Sequence, residues 1–135
     1  MIVSTKGRYA LRVMVHFAQR GGEDYIPLKE IAESEGISQK YLESIMTTLS
    51  KAGFVDAVHG KGGGYRLNRT PDGYTIGSIL KLTEGSLAVA SCSVTGPAAC
   101  SRTTCCEAKP MWDRLDTMID HFFEGITLAD LLKKE

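Results

Sequence analysis

PLKEIAESEGISQKYLESIMTTLSKAGFVDAVHGKGGGYRLN, Pro27 to Asn68, is the stretch that decides the fold. Pro27 suits the first turn of a short helix, where its missing N–H costs nothing. Ile31 and Ala32 supply that helix with an inner face, Gly36 breaks it, and Ile37 plugs the corner. Ser38 caps a second helix in which Leu42, Ile45, Met46 and Leu49 recur at helical spacing until Gly53 stops it. Ala32-x3-Gly36-Ile37-Ser38 is the spacing of a helix-turn-helix: a small residue for close approach, a glycine for the turn, a capped second helix facing outward. Two ordinary packed helices would show much of the same pattern. The next segment weighs against that. Phe54 to Asn68 reads as strand, glycine-rich tip, strand, with Phe54, Val55 and Val58 on one arm and Tyr65 and Leu67 on the other. A helix-turn-helix followed at once by a hairpin is a winged helix.

The second helix is expected to present Ser38, Gln39, Lys40, Tyr41, Glu43 and Ser44 toward a major groove. Gln39 has the amide to pair with an adenine edge, and Glu43 can accept from cytosine N4. A carboxylate repels phosphate, so Glu43 either reads a base or is an ordinary exposed glutamate. The hairpin tip is expected to carry His59, Lys61 and Arg66 beside its glycines. Gly62 and Gly63 would let backbone amides approach a phosphate closely, while the basic side chains supply charge. Tyr65 is expected to pack the hairpin on the helices. GKGGG is no nucleotide-binding P-loop, because it lacks the G-x4-G-K-[ST] spacing and no helix follows it.

Upstream, Ser4 and Thr5 can cap a helix carrying Tyr9, Leu11, Val13, Met14, Phe17 and Ala18 to about Arg20. It is apolar nearly all round and is expected to be central and buried. Downstream, Thr75 caps a short helix through about Glu84, and Leu87 to Cys106 is irregular. From about Glu107 a long helix runs to Phe123, its Met111, Leu115, Met118 and Phe122 spaced 4-3-4 with Trp112 and Ile119 alongside. Such a stripe suits helix–helix contact between two copies, and a dimer is expected in preference to packing on its own winged helix. Thr127 opens a last capped turn.

The chain of 135 residues is one domain in length, 43% hydrophobic and 24% charged, which excludes disordered and fibrous classes. Net charge is zero but uneven: residues 1–69 hold ten Lys/Arg against seven Asp/Glu, and residues 70–135 hold six against nine. A basic front half and an acidic back half fit a nucleic-acid reader joined to a partner-binding segment. The first residues lack a signal-peptide pattern, and no run reaches the ~18 apolar residues of a spanning helix. The protein is therefore expected to be cytoplasmic, without a membrane partner. No nucleophile motif appears. His16 reads as a satisfied core histidine and His121 as structural, so no enzyme is expected.

All four cysteines, Cys92, Cys100, Cys105 and Cys106, fall in CSVTGPAACSRTTCC, spaced C-x7-C-x4-C-C. In a reducing compartment, clustered thiols ligate metal or do redox work. Zinc sites favour paired C-x2–4-C knuckles, which this spacing lacks. An iron–sulfur cluster and a disulfide switch fit the residues about equally. A thiol enzyme built on Cys105-Cys106 is the competing class, but a vicinal disulfide is a strained ring and nothing nearby obviously lowers a thiol pKa.

STKGRYALRVM, ISQKYLESIMTTLSKAGFV and GKGGGYRLNRTP together resemble the IscR-type transcriptional regulators, which include the nitric-oxide sensor NsrR and the cysteine-metabolism regulator CymR. The likeness continues through TIGSILKLTEG to ITLADLL. It implies a mainly α fold: a winged helix-turn-helix with a two-stranded wing and a long C-terminal dimerisation helix. Residues 1–84 would be the DNA-binding region, 85–106 the cluster loop, and 107–135 the dimerisation helix with its terminal turn, all one structural domain.

The resemblance further implies a homodimeric regulator on a pseudo-palindromic DNA operator, its two half-sites about one helical turn apart. An iron–sulfur cluster would sit on Cys92, Cys100 and Cys106, expected as 2Fe–2S ahead of 4Fe–4S and loaded by cluster donor proteins. IscR-like members carry a histidine ligand where this chain has Lys109, and NsrR-like members an acidic residue in the region of Arg8. The candidate fourth ligands are then Cys105, Glu107, a residue reaching from the partner subunit, or a solvent species. IscR-like wings carry arginine where this chain has His59. A repressor gated by thiol oxidation or zinc, without a cluster, is the alternative.

Overall fold

The computed structural model describes residues 3–89 and 106–133. Helix α1 spans Thr5–Arg20, capped by the Ser4 hydroxyl, which accepts from the Gly7 amide at 3.1 Å. Ala10, Val13, Met14 and Phe17 enter the core. The helix is central, as expected, but not apolar nearly all round: Arg8, Arg12, Gln19 and Arg20 stand exposed on the opposite face. Charged side chains one turn apart give α1 a wet side that its many apolar letters obscured.

Helix α2 (Leu28–Glu35) follows Pro27, and α3 (Gln39–Lys51) follows Ser38, whose hydroxyl accepts from the Tyr41 amide at 3.2 Å. Between them Gly36 takes a left-handed conformation at φ 66°, where a glycine pays no steric penalty. The Ile37 amide then donates to the Ala32 carbonyl at 3.1 Å, and the Ile37 side chain is buried. The helix-turn-helix is thus closed by one glycine and one apolar plug.

Strands β1 (Val55–Val58) and β2 (Gly64–Leu67) pair antiparallel, with Val55 opposite Leu67 and Val58 opposite Gly64. The wing has a third partner that its sequence does not announce. Ile26 exchanges both backbone hydrogen bonds with Tyr65, at 2.8 and 3.0 Å. A side chain on Gly64 would collide with the Ile26 carbonyl, so glycine is what lets this strand approach.

A short 3-10 turn, Pro71–Gly73, delivers Tyr74 into the core, fully buried, where its hydroxyl donates to the Phe54 carbonyl at 2.7 Å. Helix α4 (Ile76–Glu84) packs on α1 and starts from a Thr75 cap. The long helix α5 runs Lys109–Glu124, two residues later at its start than its periodicity predicts, and packs on α4. Helix α6 (Leu128–Leu132) begins with a reciprocal Thr127–Asp130 capping box and seats Leu128 against α1.

Ile119 and Phe123 of α5 pack against this core. The other apolar side of α5 faces away: Met111 is 55%, Met118 66% and Phe122 61% exposed, values that exclude packing on its own winged helix. Among the described residues, six helices and one small antiparallel sheet therefore make a mainly α winged helix-turn-helix, as the sequence predicts.

Candidate nucleic-acid interface

Leu42, Ile45, Met46 and Leu49 hold α3 against the core, which turns the opposite side of the helix outward. Ser38, Gln39, Lys40, Glu43 and Ser44 are all exposed there. Tyr41 is different. It is half-buried and stacks edge-on against Tyr9 of α1 with ring centroids 5.9 Å apart, so part of its surface serves packing. Thr47 extends the outward face by one turn; its hydroxyl donates to the Glu43 carbonyl at 2.8 Å. That back-bond commits the hydroxyl proton and leaves the oxygen able to accept, and sequence reading missed the residue because a threonine in mid-helix carries no periodic signal.

The turn ahead of α3 is braced from α1. Arg12 donates from Nη2 to the Glu35 carbonyl at 2.8 Å, satisfying the last turn of α2, and lies over the Tyr9 ring. The Glu35 carboxylate lies 3.5 Å from Arg12 Nε and 3.2 Å from His16 Nδ1. His16 is thus core-facing but only half satisfied: its Nε2 is buried without a hydrogen-bond partner among the described residues.

On the wing, His59 and Lys61 are exposed at the tip. Gly62 sits there at φ 79°, and the Gly63 amide is already committed to the Gly60 carbonyl at 3.0 Å. The glycine run therefore serves the turn first. Arg66 is not at the tip. It lies within β2 opposite Asp56, stacks on the Tyr25 ring at 4.5 Å and donates to the Glu23 carbonyl at 2.8 Å. With Asp56 also 3.8 Å away, its guanidinium ties the wing to the chain after α1. Period-two alternation placed Arg66 on the right strand but says nothing of what lies beside it.

Cys92, Cys100 and Cys105 lie outside the described residues. Cys106 is half-buried immediately before α5, and Glu107 beside it is exposed. Lys109 donates to the Asp113 carboxylate at 2.8 Å, one helical turn on. Leading into the cysteine segment, the Val89 amide donates to Asp116 Oδ1 on α5 at 2.9 Å. Both described ends of the segment are therefore fixed to α5. Helix α4 is clamped to the same helix: Lys81 reaches Asp120 and Glu124, and the Thr75 hydroxyl donates to Glu124 at 2.9 Å. Hydrogen bonds to Asp120 and then Glu124 raise the Lys81 pKa above the ordinary lysine value. At its other end α4 holds α1, where Glu84 accepts from the Ser4 amide at 3.0 Å and the Ser4 hydroxyl at 2.6 Å. Among the described residues no group of three or more His, Cys, Asp or Glu is gathered to hold a metal, and no helix is long and apolar enough to cross a membrane.

Residues 3–134 match the Rrf2 family, described as iron-dependent transcriptional regulators. The transcriptional regulator IscR of Aliivibrio salmonicida (strain LFI1238) is 37% identical over 132 residues, covering 98% of this chain and 77% of the relative. Among solved structures, T. potens IscR superposes with a TM-score of 0.76 at 37% identity, covering 98% of this chain and 86% of the other. CymR of B. subtilis, a global cysteine regulator, gives 0.77 at 34% identity over 97% and 95% of the two chains.

Proposed function

The chain belongs to the Rrf2 family of transcriptional regulators, and from that premise we propose that it is a cytoplasmic homodimer whose DNA affinity follows an iron–sulfur cluster. It is a DNA-binding regulator and not an enzyme. One α3 per subunit would enter a major groove of a pseudo-palindromic operator. Gln39, Lys40, Glu43 and Ser44 would meet base edges and phosphates, and His59 and Lys61 the flanking minor groove or backbone. Cys92, Cys100 and Cys106 would hold the cluster, with Cys105 or Glu107 as the fourth ligand. Four thiols within fifteen residues suit a thiolate-bound cluster in their chemistry, and a 2Fe–2S cluster is the form proposed. A bound cluster would make ligation in this segment depend on iron supply and oxidants.

The observation that carries the proposal is that both described ends of the cysteine segment are fixed to α5, the helix with the uncovered apolar stripe. A change in the segment's ligation would act on the element that spaces two readers, and through α4 on the cap of α1. Lys109, engaged by Asp113, leaves the fourth position to other residues. That departure keeps a second reading in play, a thiol-oxidation- or zinc-gated repressor of the same fold.

Iron, zinc and acid-labile sulfide per subunit on anaerobically purified protein, with a visible spectrum, separate the two. Iron matched by sulfide supports the cluster. Zinc alone, or neither metal after reconstitution, transfers the proposal to the second reading. If Cys92→Ala, Cys100→Ala and Cys106→Ala variants bind every operator like the wild type, sensing through this segment is wrong.

A further inference from the structure

We propose that Lys6, in the first turn of α1, is a phosphate-binding residue that extends the DNA interface beyond α3 and the wing. The inference rests on the DNA-binding reading above and adds a contact that neither the recognition helix nor the wing supplies. Lys6 Nζ donates to Thr48 Oγ1 of α3 at 3.3 Å, and the same hydroxyl donates to the Ser44 carbonyl at 3.2 Å. One turn further along α1, Tyr9 stacks on Tyr41. Lys6 and Tyr9 therefore follow one flank of α3, from Tyr41 to Thr48, while Lys40, Ser44 and Thr47 face outward between that flank and the other. A helix seated in a major groove has a phosphate wall along each flank, so an ammonium at this place meets a backbone, not a base.

The charge balance points the same way. Lys6 forms no ion pair among the described residues, although it is half-buried. The other lysines without an ion pair there, Lys29, Lys40, Lys51 and Lys61, all stand exposed. A half-buried ammonium without a counter-charge is costly unless an anion completes it. It has three N–H donors, and Thr48 takes one. The plain alternative is that Lys6 only steadies α3 through Thr48.

Salt dependence distinguishes the two. Affinity would be measured for the full chain on a duplex of about 30 bp carrying a sequence it selects from a random library, and on a scrambled duplex. One phosphate per subunit is two per dimer, so Lys6→Met should lower the log–log salt slope by about 1.8 on both duplexes. Over a fourfold rise in salt, the variant would lose about 12-fold less affinity than the wild type. Lys6→Arg should keep the wild-type slope. Thr48→Val should keep it too, because the phosphate contact does not run through the hydroxyl. An unchanged slope in Lys6→Met, or a loss confined to the selected sequence and copied by Thr48→Val, would overturn the proposal while leaving the DNA-binding reading intact. A wild-type chain with a flat salt response would sink both.

Discussion

Replacing Phe122 by alanine is a direct test of the dimer proposed for α5. Phe122 is 61% exposed in the protomer, and so are neighbours on the same stripe, Met111 at 55% and Met118 at 66%. Its ring touches Phe123 edge-on at 5.3 Å but contributes little to the protomer's own core. Burying a whole Phe side chain is worth about 1.5–3 kcal/mol, so covering the exposed three-fifths is worth about 1–2 kcal/mol. A two-fold interface uses the same patch from both subunits, which doubles the loss to about 2–4 kcal/mol per dimer. At 1.4 kcal/mol per factor of ten, the dimer Kd should rise by about 30- to 700-fold. Sedimentation across nanomolar to micromolar protein would read the shift. Thermal stability should fall only as far as lost association predicts, because the protomer core is untouched. An unchanged dimer Kd would refute the reasoning: the stripe would then be an exposed surface with another purpose, and the spacing of two readers could not depend on α5.

Four further substitutions test the scaffold and the wing. Tyr74→Phe should cost about 1–3 kcal/mol in denaturant melts, because it orphans the Phe54 carbonyl and the Asn68 amide that the buried hydroxyl serves. Burial raises the Tyr74 pKa above 10.0, so the unfolded chain releases that proton first and stability declines as pH rises past 10.0; the variant should lack this part of the alkaline decline. Gly64→Ala should cost about 2–4 kcal/mol and loosen the wing, read as faster amide exchange at Ile26 and Tyr65, since the added methyl meets the Ile26 carbonyl. Lys61→Ala should weaken all DNA sequences about equally and reduce the salt slope, whereas Arg66→Ala should lower Tm with the slope unchanged; a reduced slope in Arg66→Ala would return that residue to the interface.

The helix-turn-helix was legible because its determinants are local. Gly36 needs a left-handed turn, Ile37 needs a burial site one residue later, and Ser38 caps the second helix; all of this lies within four letters. The wing arms were legible for the same reason, through alternation over a few residues. The Ile26–Tyr65 pairing was not, because a single bridging residue has no period to read. Nor was the amphipathic character of α1. Its exposed Arg8, Arg12 and Arg20 are scattered among apolar letters, and only the placement of α4 and α6 shows which side is covered.

Basic residues show where pattern reading stops. Sequence alone ranked Arg66 with Lys61 as a DNA contact and passed over Lys6. A guanidinium that stacks on tyrosine and donates to carbonyls uses the same chemistry that would grip a phosphate, so residue type cannot separate the two roles. Their surroundings can. Arg66 finds Tyr25, Glu23 and Asp56 within its own protomer, from segments ten to forty-three positions away. Among the described residues, Lys61 stands exposed without an ion pair, and Lys6 has only one neutral hydroxyl, forty-two positions distant. The cations that the fold leaves without an opposite charge are the ones with affinity to spare for an anion from outside. By that criterion the proposed interface would run from the wing tip across α3 to the first turn of α1, and Arg66 would serve the scaffold.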